Sequence, residues 1–215
     1  MVQVVVLNRN ASVLTDRLAW LRDVSRHQDR YLFRQAVRDV AMWMGYEISK
    51  TLPYLSQTIQ TPLGVATEWV LKQPPVLIGI LRAGMPMVEG LLNAFPKSEV
   101  GWIGAFRDYS NHDEFAIETP YWAIPPLDNQ TVIIADPMIA TGQSMLETLQ
   151  RISAEAPQRI IVAGLIAATQ GITLLQNHFP NIDIFTAAID DQLDDNAYIV
   201  PGLGDAGDLA FGPKK

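Results

Sequence analysis

Apolar residues recur at helical spacing over residues 12–49, through Leu14, Leu18 and Leu21 and then Phe33, Val37, Val40, Ala41 and Met44. The pattern breaks at 27–29, which predicts two helices rather than one. Residues 58–69 alternate loosely around Pro62 and Gly64, breakers that suit the strands of a short arm outside the core. From residue 76 onward short β-branched or apolar runs repeat, at 76–81, 100–106, 131–135, 160–167 and 182–189, and each reads as a strand. Helical patterns separate several of them, at 87–93, 145–153 and 172–177. Strands alternating with helices predict an α/β fold built on a parallel sheet. Ligands of such sheets bind beyond the carboxyl ends of the strands, so the loops that follow the strands carry the chemistry.

Composition narrows the function classes. The 215 residues fit one domain over 1–215, and 48% hydrophobic with 18% charged residues is ordinary for a folded α/β protein. A net charge of -7 and a pI near 4.9 leave no basic footprint for nucleic acid. A few placed arginines and backbone N–H groups still serve a small anionic ligand. There is no cysteine, hence no disulfide scaffold and no thiolate chemistry. The apolar run at 1–7 is too short for a signal peptide, and no stretch reaches the length of a spanning helix, so no membrane partner and a cytoplasmic location are expected.

The run 131–135 passes directly into Asp136-Pro137-Met138-Ile139-Ala140-Thr141-Gly142-Gln143-Ser144 and then into a helical pattern. Small or hydroxyl residues at 140–144 let successive N–H groups converge, Thr141 and Ser144 add hydroxyl donors, and the helix N-terminus adds a positive field. A phosphate monoester fits such a loop. Asp136, at the strand's carboxyl end, is placed to accept hydrogen bonds from sugar hydroxyls, so that together they read a ribose 5-phosphate. Taken singly, Ser144 would be a helix cap, Asp136 the start of a turn, and Arg82, after the run 76–81, a surface ion pair. The complete string favours the phosphate site. Neither a Gly-x-x-x-x-Gly-Lys-Ser/Thr loop nor a Gly-x-Gly-x-x-Gly after a strand is present, which removes kinase and dehydrogenase readings.

The string resembles the signature of phosphoribosyltransferases that binds phosphoribosyl pyrophosphate (PRPP), in the Asp-Pro-Met-x-Ala-Thr-Gly form of the uracil phosphoribosyltransferases. Further pieces match the same family in order: Ile80-Leu81-Arg82-Ala83-Gly84-Met85, then Arg107 closing a strand, then Tyr198-Ile199-Val200-Pro201-Gly202-Leu203-Gly204-Asp205-Ala206-Gly207-Asp208. Thr61-Pro62-Leu63 falls where the family has its arm. The resemblance implies the type I phosphoribosyltransferase fold, with N-terminal helices, a β-arm and a C-terminal hood over the base. It implies salvage of uracil, in which PRPP and uracil give UMP and pyrophosphate, with Mg²⁺ arriving on PRPP and bound mainly through substrate oxygens and water. It assigns PRPP to Arg82, Arg107, Asp136, Pro137, Met138, Ile139, Ala140, Thr141, Gly142, Gln143, Ser144 and Asp205. It gives catalytic roles to Asp136, Asp205 and Arg107, and the base to Ile199, Gly204, Asp205 and Ala206, read largely by main chain with Ala206 against the flat ring. A homodimer or higher homo-oligomer is expected from the arm, and GTP activates some members.

Alternatives stay open at this point. Pro86 stands where the family has a small residue and Gln143 where it has a glycine, and 108–127 departs from the family's acidic stretch. These differences motivate a second reading, a PRPP or nucleotide sensor of the same fold without turnover. Gln143 either carries strain, if its position needs a positive φ, or adds a phosphate contact. The 108–127 segment reads as a lid or as an inert loop, with His112 given no catalytic part. The glycine-rich tail could also be an ordinary turn with Asp208 as a cap. No side chain is assigned the N1 proton, which a water or a pyrophosphate oxygen can take.

Overall fold

Parallel strands buried on both faces are written as unbroken apolar runs, and this is why the central strands coincide with the runs in the sequence. The computed structural model describes residues 3–107 and 117–214. In chain order the elements are β1 (Val4–Val6), α1 (Val13–Arg22), α2 (Arg30–Ser49), β2 (Tyr54–Thr61), β3 (Gly64–Leu71), β4 (Val76–Leu81), α3 (Met85–Ala94), β5 (Val100–Arg107) and β6 (Ile117–Ala123). They continue with β7 (Thr131–Ala135), β8 (Met138–Ile139), α4 (Gln143–Ala154), β9 (Arg159–Ala168), α5 (Thr169–His178), β10 (Asp183–Asp190), β11 (Gln192–Leu193), β12 (Ile199–Val200) and α6 (Ala206–Phe211).

The main sheet runs β1-β10-β9-β7-β4-β5-β6, with β8 also on β9. Its pairs are parallel except for the antiparallel edge strand β6. Successive residues of each strand point to opposite faces. Leu77, Ile133 and Ile161 therefore join one core layer, under α1, α2, α3 and α6, while their neighbours Ile78, Ile134 and Val162 join the other, under α4 and α5. The break expected between the N-terminal helices is real: Asp29 caps α2, its Oδ1 accepting from the Leu32 N–H at 3.0 Å. Such a cap typically stabilises a helix by about 1 kcal/mol.

The arm forms as expected. β2 and β3 pair only with each other, from Tyr54↔Leu71 to Thr61↔Gly64, and carry Leu55, Leu63, Val65 and Trp69 exposed. Five strands lay outside the sequence expectation, three of them the two-residue β8, β11 and β12. Residues 4–6, weighed only as a signal peptide, form β1 on the β10 edge, and 117–123, inside the divergent segment, forms β6. Pro120 is tolerated there because an edge strand has a side that needs no ladder donor. Residues 108–116, including His112 and the first part of the expected lid, lie outside the described residues. No helix among the described residues is long and apolar enough to cross a membrane.

Candidate active site

The chain leaves β4 for β5 on one side and returns to place β7 on the other side of β4. The crevice outside the carboxyl ends of β4 and β7 is thus the switch point of the sheet, where an open α/β fold binds its ligand. Arg82 follows β4 and Asp136 follows β7, and Gly79↔Ala135 are paired just before both loops depart. The two loops touch at Gly84. A Cβ there would fall 2.6 Å from the Ala135 carbonyl oxygen and 2.7 Å from that of Ile80, both backbone atoms.

Asp136 extends the ladder, its N–H donating to the Ala163 carbonyl at 3.1 Å. Its Oδ1 accepts from the Met138 N–H at 3.3 Å, so it does open a turn. Burial pushes its carboxyl up to about 7; the nearby Asp205 charge pushes the same way, while the Met138 N–H and the Lys214 charge oppose. Asp205 and Lys214, both from the tail, therefore lie near enough to Asp136 for their charges to act on it. Among the described residues no group of three or more His, Asp or Glu could hold a metal ion by itself.

The phosphate-loop candidates fold as one unit. β8 (Met138 and Ile139) pairs with β9, and Gly142, at φ +83°, turns the chain into α4. Its Cβ would lie 2.9 Å from the Gly171 carbonyl, so both conformation and space require glycine. The first N–H groups of α4 have no intrahelical acceptor and point out of its N-terminus. Ser144 is inside α4, where its carbonyl accepts from the Thr148 hydroxyl at 2.9 Å, so the helix-cap alternative for it is overturned. Gln143 is helical and its side chain bonds Glu147 one turn on. The positive φ belongs to Gly142, so Gln143 carries no such strain. Pro86 is likewise at ease, in the first turn of α3 where its missing N–H costs nothing.

Arg82 does not stand free. Its Nη2 donates to Asp208 Oδ1 at 3.2 Å and to the Gly212 carbonyl at 3.1 Å, so the ion-pair alternative is realised, but with the tail rather than a surface neighbour. Arg82 Nε is buried without a partner. Arg107 closes β5, its Cα paired with Ile117.

The tail folds back onto these loops. β11 and β12 form a short hairpin, and Gly202 and Gly204 take φ of +53° and +92°. A Cβ on Gly207 would lie 3.8 Å from that of Ala83 in the Arg82 loop. Asp205, not Asp208, caps α6, its Oδ1 accepting from the Asp208 N–H at 2.9 Å. Ile199 and Ala206 are buried in the core, while Gly204 is exposed.

Sequence reasoning missed what holds the tail in place. Arg22, at the end of α1, grips Asp190 with Nη1 on Oδ2 at 2.7 Å and Nη2 on Oδ1 at 2.9 Å. It missed Lys214 as well. The signal available for Asp190 was a carboxylate closing the apolar run 182–189 at the ligand edge of the sheet. Arg22 had none, because its partner lies 168 residues away.

A family model described as uracil phosphoribosyltransferase matches residues 9–213. The chain belongs to the uracil phosphoribosyltransferase family. A uracil phosphoribosyltransferase of Metallosphaera sedula is 41% identical over 203 residues, 91% of this chain and 94% of its own. One of Porphyromonas gingivalis is 40% identical over 214 residues, 99% of each chain. Among solved structures, a protein from Aquifex aeolicus superposes with a TM-score of 0.87 at 27% identity over 98% of both chains. A purine phosphoribosyltransferase from Pyrococcus horikoshii, at 13% identity and a TM-score of 0.50 over 73% of this chain and 90% of its own, shares the fold alone. The Arg82 loop, the end of the strand before Asp136 and the glycine-rich tail meet although they lie far apart in sequence.

Proposed function

We propose that the chain transfers the phosphoribosyl group of PRPP to N1 of uracil, forming UMP and releasing pyrophosphate in cytoplasmic pyrimidine salvage. The observation that carries this is the meeting of Arg82, Asp136 and the tail at the switch point of a sheet whose family is uracil-specific by name. In this reading the α4 N-terminus and residues 137–144 bind the 5-phosphate, and Asp136 accepts the ribose hydroxyls. Arg82 and Arg107 grip the pyrophosphate, the first by rotating an N–H edge not spent on Asp208 and Gly212. Main chain at Ile199, Gly204 and Ala206 pairs with the base edge.

The C1–O bond to pyrophosphate breaks as the N1–C1 bond forms, and the N1 proton leaves to water or to a pyrophosphate oxygen. Positive charge grows on the sugar and negative charge on the leaving group, so fixed cations and fixed sugar hydroxyls are what lower the barrier. Bound on PRPP, Mg²⁺ supplies further neutralisation of the leaving group. The donor set fits it, because Mg²⁺ keeps several waters and needs only one or two carboxylates, and Asp136 lies near enough to Asp205 for the charge of one to act on the other. Exposed Leu63, Val65 and Trp69 on the arm support a homo-oligomer in the same reading. GTP activation is carried by the family resemblance alone.

Incubation with PRPP, Mg²⁺ and each nucleobase in turn tests the reading. Nucleotide from uracil and from no purine is expected. Nucleotide from another base would move the assignment within the fold, and PRPP binding without any nucleotide would make the chain a sensor. That second reading has lost two of its supports, since neither Pro86 nor Gln143 distorts the loops that contain them.

A further inference from the structure

Asp190 closes β10 at the ligand edge of the sheet and is only 9% exposed. A buried carboxylate is costly unless fully paired, and here Oδ1 is held by Arg22 alone while Oδ2 is shared between Arg22 and one turn of the tail. Its Oδ2 accepts from the Gly202 N–H at 2.9 Å as well as from Arg22. Arg22 Nη1 in turn donates to the Gly202 carbonyl at 3.0 Å. Both main-chain polar groups of Gly202 are thereby held by the ion pair. The turn is tight: Gly202 sits at φ +53°, and a Cβ on it would lie 2.1 Å from the Ile199 carbonyl oxygen.

We infer that Arg22 and Asp190 are positioning residues that set the base-reading main chain, and so act far more on affinity for the pyrimidine than on PRPP binding, most of whose proposed contacts lie outside the tail. The inference rests on the proposed assignment of uracil to the tail. Gly202 lies between Ile199 and Gly204, the two positions that flank the clasp. Hydrogen bonds to a flat base hold at about 2.7–3.2 Å and weaken steeply once the donor angle falls below about 120°, so a tilt of this turn is felt directly in base binding. The clasp touches neither residues 136–144 nor Arg82. Arginine is required because one planar fork spans both carboxylate oxygens while the same Nη1 reaches the Gly202 carbonyl, which an ammonium cannot reproduce.

The test compares Arg22→Gln, Arg22→Lys and Asp190→Asn with the parent, using full chains and Mg²⁺ throughout. Uracil KM and kcat are read from UMP formation, PRPP affinity from calorimetry, and Tm from circular dichroism. Arg22→Gln and Asp190→Asn are expected to raise the uracil KM about tenfold, Arg22→Lys about threefold, with PRPP affinity within about twofold of the parent. The Arg22 side chain is partly exposed, so its variants carry the test even where Asp190→Asn fails to fold. Loss of PRPP affinity equal to the loss for uracil, or a lowered Tm with an unchanged uracil KM, would overturn the inference and leave the pair as a fold clamp. A parent that uses a different base would sink the functional reading instead, and the same ratio measured with that base would still decide the role of the clasp.

Discussion

The loop at 136–144 lies between a buried strand and a helix of 12 residues that adjoin it in sequence, and its one unusual backbone conformation falls on a glycine. The tail at 199–212 has only a two-residue strand and a six-residue helix of its own. It is shaped by Arg22 and Asp190 at Gly202, by Arg34 on the Ala210 carbonyl at 2.6 Å, and by Arg82 on Asp208 and the Gly212 carbonyl. In the proposed reading the phosphate side of the site is therefore shaped mainly by the strand and helix that adjoin it, and the base side by contacts with remote elements. A local loop resists substitution elsewhere in the chain; a clasped tail does not. The two halves should fail separately, and Arg82 is where they join.

The largest effect is expected on the local side. Asp136→Asn keeps the shape but removes the charge and half the acceptor capacity, and hydrogen bonds to a charged group are worth roughly 1.5–3 kcal/mol. Steady-state kinetics should show turnover falling tenfold or more with uracil KM little changed. A second readout follows from the carboxyl being held at about 7 against an ordinary 3.8. The folded state keeps a proton that the unfolded chain releases at lower pH. The stability this contributes is full below about 3.8 and is lost as pH rises through about 7. Ligand-free Asp136→Asn does not titrate, so its Tm relative to the parent should be higher above pH 7 than near pH 4. A pH-independent difference in Tm would contradict the raised value.

Arg82→Lys sharpens the comparison at the joint. An ammonium cannot hold the tail through one edge and pyrophosphate through another, so PRPP affinity should weaken about tenfold by calorimetry, and uracil KM should rise as well. A loss confined to PRPP would show that the tail does not depend on its contact with Arg82. On the base side, Ala206 has its side chain 3% exposed in the core. Ala206→Val overfills that packing at a cost of roughly 1–3 kcal/mol, seen as a lower denaturation midpoint together with weaker uracil binding and near-normal PRPP binding.

Much of this arrangement was legible. The strands at 76–81 and 131–135 match their apolar runs end to end because both faces are covered, and the candidate residues Arg82 and Asp136 follow them directly. Short elements were not: β1 has three residues, too few for a periodicity, and α6 is hidden among glycines whose composition reads as turn. β6 carries Pro120 and polar residues on an edge, where the sequence has little need to be apolar. Which residue of the 136–144 loop takes the left-handed conformation could not be read from identity alone. Gln143 looked anomalous in place of a glycine, yet Gly142 takes the left-handed conformation and Gln143 merely starts the helix. The smallest expected effect follows: Gln143→Gly should leave turnover within about twofold and lower stability by roughly 0.5–1 kcal/mol, the entropic cost of glycine in a helix. A rise in turnover well beyond that would mean the glutamine obstructs the phosphate.

The most direct measurement of the central claim is product stoichiometry. With PRPP, Mg²⁺ and uracil supplied to the purified chain, UMP and pyrophosphate should appear in equal amounts, and neither should form when uracil is omitted. Pyrophosphate released without UMP, or PRPP bound and returned intact, would contradict the assignment of the tail as the site that presents N1 of uracil to the ribose.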